Sequence, residues 1–198
     1  MVYFAFIQSL CAADGEPAGA LLYNHFVEHP NSNAIVIPPI KVKSFKELNM
    51  AFEWVNSSIA SDNNVVICID AHSCEYNLTF KDAESHNKED FVEYVEWEKI
   101  DELIEKLYPK FQKNVVFIFV SCRSASYYAV SKTSHVSVLA SEGEVNALRA
   151  KELLTVFYEM YCESNNIEQA YNEMIKKCPL KEEMQITSNF KSVLKLYT

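Results

Sequence analysis

Val115-Val116-Phe117-Ile118-Phe119-Val120-Ser121-Cys122-Arg123-Ser124 is the stretch on which the reading of this chain turns. Its first part is entirely β-branched or aromatic and reads as a buried strand. A small residue, a cysteine and an arginine follow directly. A second run, Val65-Val66-Ile67-Cys68-Ile69, has the same character and ends in Asp70-Ala71-His72-Ser73. Two such strands, adjacent and parallel, bring a thiol and an imidazole side by side at their carboxyl ends. Open α/β sheets carry their sites there.

Outward from these two runs, strands and helices alternate. Val2 to Gln8 reads as a first strand, followed by a turn at Asp14-Gly15-Glu16-Pro17 and a helix from Ala18 to Glu28. Ala34 to Ile37 reads as a short second strand stopped by Pro38-Pro39. Ser44 and Glu47 have the spacing of a capping box, and Phe45, Leu48, Phe52 and Val55 continue it at helical spacing. Residues 75–96 are acidic and polar and read as a long loop or small hairpin, with Tyr76 to Phe80 as a short strand. The acidic part, 82–90, reads as a solvated loop, with a lid or processing site as the sharper option. A helix from Glu96 to Phe111, a strand from Ser134 to Ala140, and helices from Ala147 to Glu163 and Ile167 to Lys177 complete the pattern. The tail from Gln185 to Tyr197 is ambiguous. The alternation predicts one α/β domain over 1–198, a mostly parallel sheet of five or six strands with helices on both faces.

Composition narrows the function. The formal charge of −9 argues against a nucleic-acid backbone as partner. Three glycines are too few for a phosphate-cradling loop. No apolar run reaches the roughly 20 residues of a membrane span, and the N-terminus lacks the basic and cleavage features of a signal peptide. The expected setting is therefore the cytoplasm, away from membranes, with the six cysteines as free thiols. Cys68, Asp70, His72 and Cys74 alternate along one strand in a way that suggests a metal. A strand rises about 3.3 Å per residue, so the first and last lie too far apart for one ion. No metal and no cofactor are expected.

The chemistry left is that of a cysteine nucleophile. Cys122 needs a base near neutral pH, and His72 from the neighbouring strand end supplies it, later protonating a leaving amine. The backbone N–H groups of Cys122 and Ser73 are the candidates for an oxyanion hole. The helix expected after the Cys122 loop would favour the thiolate through its dipole. Arg123, one of only two arginines, suits an acidic substrate residue. Asp14 and Glu16, in the loop after the first strand, suit a basic one. The plainer reading for all three is solvated loop charge.

The order of these features resembles the caspase-like clan of cysteine peptidases, clan CD, and its CHAT branch in particular. The resemblance rests on the strand ending in His72-Ser73, on the strand ending in Ser121-Cys122, and on the intervening helix introduced by Trp97-Glu98. It is also carried by Glu142-Gly143-Glu144-Val145, Phe157-Tyr158, Ile167-Glu168-Gln169-Ala170-Tyr171 and the turn around Asp14-Gly15-Glu16-Pro17. It implies a caspase-like three-layer fold, with His72 as general base and Cys122 as nucleophile. It further implies a thioester acyl-enzyme, a protein substrate, and control by an activating partner or small signalling ligand. A bacterial defence or signalling effector is the context it suggests, an antiviral one included. One position departs from the family: glycine usually follows the histidine, and this chain has Ser73. That departure keeps open a second reading, a weak or inactive module of the same fold that senses a ligand or binds a protein. An α/β ligand-sensing domain without protease ancestry is the third.

Overall fold

A computed structural model describes residues 1–10, 14–81, 91–131, 136–178 and 194–197. The strands β1 (Val2–Ser9), β2 (Ala34–Lys41), β3 (Asn64–Ser73), β6 (Val115–Val120) and β7 (Ser137–Ser141) run parallel in the order β2-β1-β3-β6-β7. β8 (Leu194–Tyr197), the end of the ambiguous tail, adds antiparallel to β7. β4 (Asn77–Lys81) and β5 (Phe91–Glu96) form the antiparallel hairpin expected as one option for 75–96, paired to the end of β3 through His72↔Thr79 and Ser73↔Leu78. Residues 82–90, the start at Ser134 and most of the tail from Gln185 lie outside the described residues.

Strand alternation divides the core in two. Val65, Ile67, Ile69 and Ala71 of β3 and Val115, Phe117 and Phe119 of β6 face α2 (Phe45–Ser58), α3 (Trp97–Phe111) and the short α4 (Ser126–Val130). Val66 and Cys68 of β3, with Val116, Ile118 and Val120 of β6, face α1 (Ala18–Glu28), α5 (Ala147–Ser164) and α6 (Ile167–Lys177). The continuous apolar runs are thus explained: a central strand covered on both faces has no solvent side to mark with polar residues. Each fully buried Phe or Leu in these layers contributes about 1.5–3 kcal/mol.

Local chemistry sets the helix starts. Ser44 Oγ accepts the N–H of Glu47 at 3.2 Å, and the Glu47 carboxylate accepts the N–H of Lys43 at 2.8 Å, so the expected capping pattern is present with its return bond one residue earlier. Asn146 caps α5 by accepting the N–H of Arg149 at 3.0 Å. Glu93 of β5 accepts the N–H of Phe45 at 2.8 Å, docking the hairpin on the start of α2.

Two expectations are corrected. β2 does not stop at Pro38-Pro39 but runs through to Lys41. It is the edge strand, where a missing N–H is harmless, and a register shift between Ala5/Ile37 and Ile7/Ile40 absorbs the prolines. The helix after the Cys122 loop is only five residues, Ser126–Val130, so its dipole has little to offer the thiol. No described helix is long and apolar enough to cross a membrane.

Candidate active site

The last register pair between β3 and β6 is Asp70↔Val120. His72 and Cys122 each lie two residues beyond it, at the carboxyl end of the sheet. Period-two alternation puts Asp70 and His72 on the α1/α5 face, and two contacts agree. Asp70 Oδ2 accepts the N–H of Gly19 in the first turn of α1 at 3.1 Å. His72 Nε2 lies 3.0 Å from Oδ1 of Asp14, just before that helix. The Cys122 sulfur accepts the N–H of Val145, immediately before the Asn146 cap of α5, at 3.4 Å. Imidazole and thiol therefore turn toward the same layer of helices.

Ser73 connects the two strand ends. Its hydroxyl donates to the backbone carbonyl of Cys122. The loop after Cys122 is held closely. Arg123 adopts a left-handed φ of 54°, and its N–H donates to the Gly143 carbonyl at 2.8 Å. The buried Ser124 hydroxyl donates to the Phe119 carbonyl at 3.3 Å and accepts the N–H of Ser141 at 3.0 Å. The β7–α5 connection thus forms one wall around the thiol. Nothing in the sequence around Gly143 and Val145 announced that role beyond their place in the family resemblance.

The charged candidates separate. Glu16 is exposed. Arg123 is exposed and pairs with Glu75 of the β3–β4 turn at 3.0 Å, with 58% and 54% of the two side chains exposed. Such an open pair contributes between nothing and about 1 kcal/mol. Asp14 does not fit the solvated-charge reading. Its side chain is 6% exposed, and its second oxygen lies 3.5 Å from Nζ of Lys81, itself 3% exposed. Lys81, at the end of β4, is a member of this neighbourhood that the sequence did not single out.

Beneath the site, burial raises the Asp70 carboxyl from 3.8 to about 6, against the opposing pull of the backbone N–H groups of Gly19 and Ala18. Burial raises the Cys68 thiol further still, with the Asp70 charge adding to the effect. Cys68 is therefore an inert core thiol. The five cysteines among the described residues are all unpaired, and Cys74 is the exposed one. Among the described residues, no group of three or more His, Cys, Asp or Glu is arranged to hold a metal ion.

No protein-family model matches the chain, and no curated protein matches it in sequence. Its fold is similar to that of a secreted C11 cysteine protease from Bacteroides thetaiotaomicron, solved by X-ray in complex with an irreversible peptide inhibitor. The TM-score is 0.53 and the identity 9%, over 92% of this chain. The chain spans 63% of the length of that protease chain. At this identity the likeness is one of fold. The mostly parallel, three-layer, caspase-like architecture expected from the sequence is the one observed.

Proposed function

We propose that the chain is a cysteine endopeptidase in which Cys122 is the nucleophile and His72 its general base and acid. The observation that carries the reading is the β3–β6 register, with both side chains two residues past its last pair and turned to one face. Likeness of fold to a cysteine protease supports it. In the reaction His72 takes the thiol proton, and the Cys122 sulfur bonds to the scissile carbonyl carbon. The backbone N–H groups of Cys122 and Ser73 receive the oxyanion. Collapse breaks the C–N bond, and the proton passes from His72 to the leaving amine. Water, deprotonated by His72, then hydrolyses the thioester and returns the thiol.

The substrate is a protein. Of the three charged candidates for reading it, Arg123 and Glu16 are exposed and Asp14 is turned inward toward His72 and Lys81. Membership of the CHAT branch, control by a partner or small ligand, and a bacterial defence role draw on the sequence resemblance, and a cytoplasmic setting draws on the composition and the features of the N-terminal sequence. A second reading, a weakly active or inactive binding module, draws on Ser73 at the position where glycine is usual.

Alkylation with iodoacetamide, with each site located by mass spectrometry, tests the two. Cys74 is exposed and serves as the internal standard, whereas Cys122 is partly buried. The protease reading expects Cys122 to label faster than Cys74 at pH 7 and to slow in His72→Ala. Equal, slow labelling of both, unchanged by His72→Ala, sinks it. Fragments of the chain or of a co-expressed partner that vanish in Cys122→Ala would add the endopeptidase activity itself.

A further inference from the structure

We infer that Asp14 is the positioning residue for His72 and that Lys81 holds Asp14 in that role. The inference rests on the reading of His72 as the base for Cys122. Three groups from three parts of the chain meet here: the loop after β1, the end of β3 and the end of β4. Asp14 Oδ1 is 3.0 Å from His72 Nε2, and Asp14 Oδ2 is 3.5 Å from Lys81 Nζ. Lys81 is fixed by its backbone as well, since its N–H donates to Ser9 Oγ at 2.9 Å at the end of β1. The carboxylate-bearing loop therefore starts from a strand end to which β4 is bonded.

Burial separates the two ring nitrogens. Nε2 of His72 is enclosed and has no aligned hydrogen bond, although Asp14 Oδ1 stands within reach. The rest of the side chain is open, 41% exposed overall. With Nε2 beside Asp14, Nδ1 is the nitrogen assigned to the thiol. A neutral imidazole carries one proton, and the partner of one nitrogen decides the role of the other. A carboxylate only accepts, so Asp14 favours the tautomer with hydrogen on Nε2 and leaves the Nδ1 lone pair for the thiol. When the thiol proton reaches Nδ1, the imidazolium charge faces the Asp14 carboxylate. No proton passes to Asp14. A small turn of the ring brings Nε2–H into line, as catalytic hydrogen bonds commonly tighten only when substrate is bound.

A carboxylate this deeply enclosed needs compensation, and Lys81 provides it. The competing account is a structural Asp14–Lys81 pair beside which His72 merely happens to lie. It makes no demand on the tautomer, which is what separates the two accounts.

The experiment uses the full chain labelled with 15N-histidine, at alkaline pH where imidazoles are neutral. The His72 signals are assigned by their loss in His72→Ala. The expected result is a dominant Nε2–H tautomer that is lost in Asp14→Asn. In parallel, labelling of Cys122 at pH 7 should fall about tenfold or more in Asp14→Asn and partly recover in Asp14→Glu. Lys81→Met should give a smaller fall. A dominant Nδ1–H tautomer in the native chain overturns the proposal, and this holds even if Asp14→Asn does not fold. So does wild-type labelling of Cys122 in a folded Asp14→Asn. If His72→Ala itself leaves Cys122 labelling unchanged, the dyad reading falls and takes the proposal with it. Slowing by His72→Ala but not by Asp14→Asn removes Asp14 alone.

Discussion

The Ser73 hydroxyl donates to the Cys122 carbonyl, so the residue that follows His72 ties the histidine-bearing strand to the cysteine-bearing loop. A glycine has no group to make that bond. Ser73→Ala should lower stability by about 1 kcal/mol, the usual net worth of one part-buried hydrogen bond. Ser73→Gly should lower it by about 0.5–1 kcal/mol more through chain entropy. Urea denaturation of both variants measures this. A glycine variant as stable as the native chain would show that the bond contributes nothing.

Gly19 sits in the first turn of α1, where the helix passes close over β1. A Cβ there would stand 3.0 Å from Gln8 Nε2 and 3.3 Å from Phe6 Cβ. Alanine normally gains up to about 1 kcal/mol over glycine within a helix. Overpacking costs about 1–3 kcal/mol, and Phe6 is fully buried, so its Cβ has little room to yield. Crowding outweighs propensity, and Gly19→Ala should destabilise by about 1–2 kcal/mol in thermal melts. A rise in melting temperature would mean that α1 lifts off β1 more easily than its packing implies.

What the sequence made legible, and what it did not, follows from the range of each interaction. β3 and β6 were readable because strands covered on both faces leave continuous apolar runs, and His72 and Cys122 stood out because they end those runs. The capping of α2 was readable because Ser44 and Glu47 are neighbours. The solvated-charge reading of Asp14 fails because its burial depends on Lys81, which comes from a different element. Val145 was silent because it acts through its backbone N–H, which every residue but proline possesses. β2 was cut short because Pro38-Pro39 argues against a strand until its edge position is known.

Asp101 of α3 is buried and accepts two short hydrogen bonds, each 2.6 Å, from the Tyr127 and Ser131 hydroxyls. They pin the segment that follows the Cys122 loop to α3. Tyr127→Phe removes one donor and should cost about 1–2 kcal/mol. Asp101→Ala removes the acceptor shared by the Tyr127 and Ser131 hydroxyls and should cost about 2–4 kcal/mol. In the double variant the two losses should fall short of additive, because each single change breaks the same bond. Full additivity in denaturant unfolding would show that the Tyr127–Asp101 contact carries no coupling.

Asp70, two residues before His72, makes stability depend on pH in a direction opposite to that of most carboxylates. Burial raises its folded-state value from 3.8 to about 6, so between these values the folded chain keeps a proton that the unfolded chain has lost. The stability this provides is complete below about pH 4 and disappears as pH rises through about 6. A shift of this size corresponds to about 3 kcal/mol at 1.36 kcal/mol per pH unit. Asp70→Asn keeps an oxygen for the Gly19 N–H, bonded at 3.1 Å in the native chain, and removes the ionisation. The other carboxylates are common to both proteins and cancel in the difference. Native stability should therefore fall relative to Asp70→Asn by about 3 kcal/mol between pH 4 and pH 7, read from urea unfolding at each pH. A difference that stays flat across that window, or one of the opposite sign, would mean that Asp70 is ionised throughout and that the N–H groups at the start of α1 outweigh its burial.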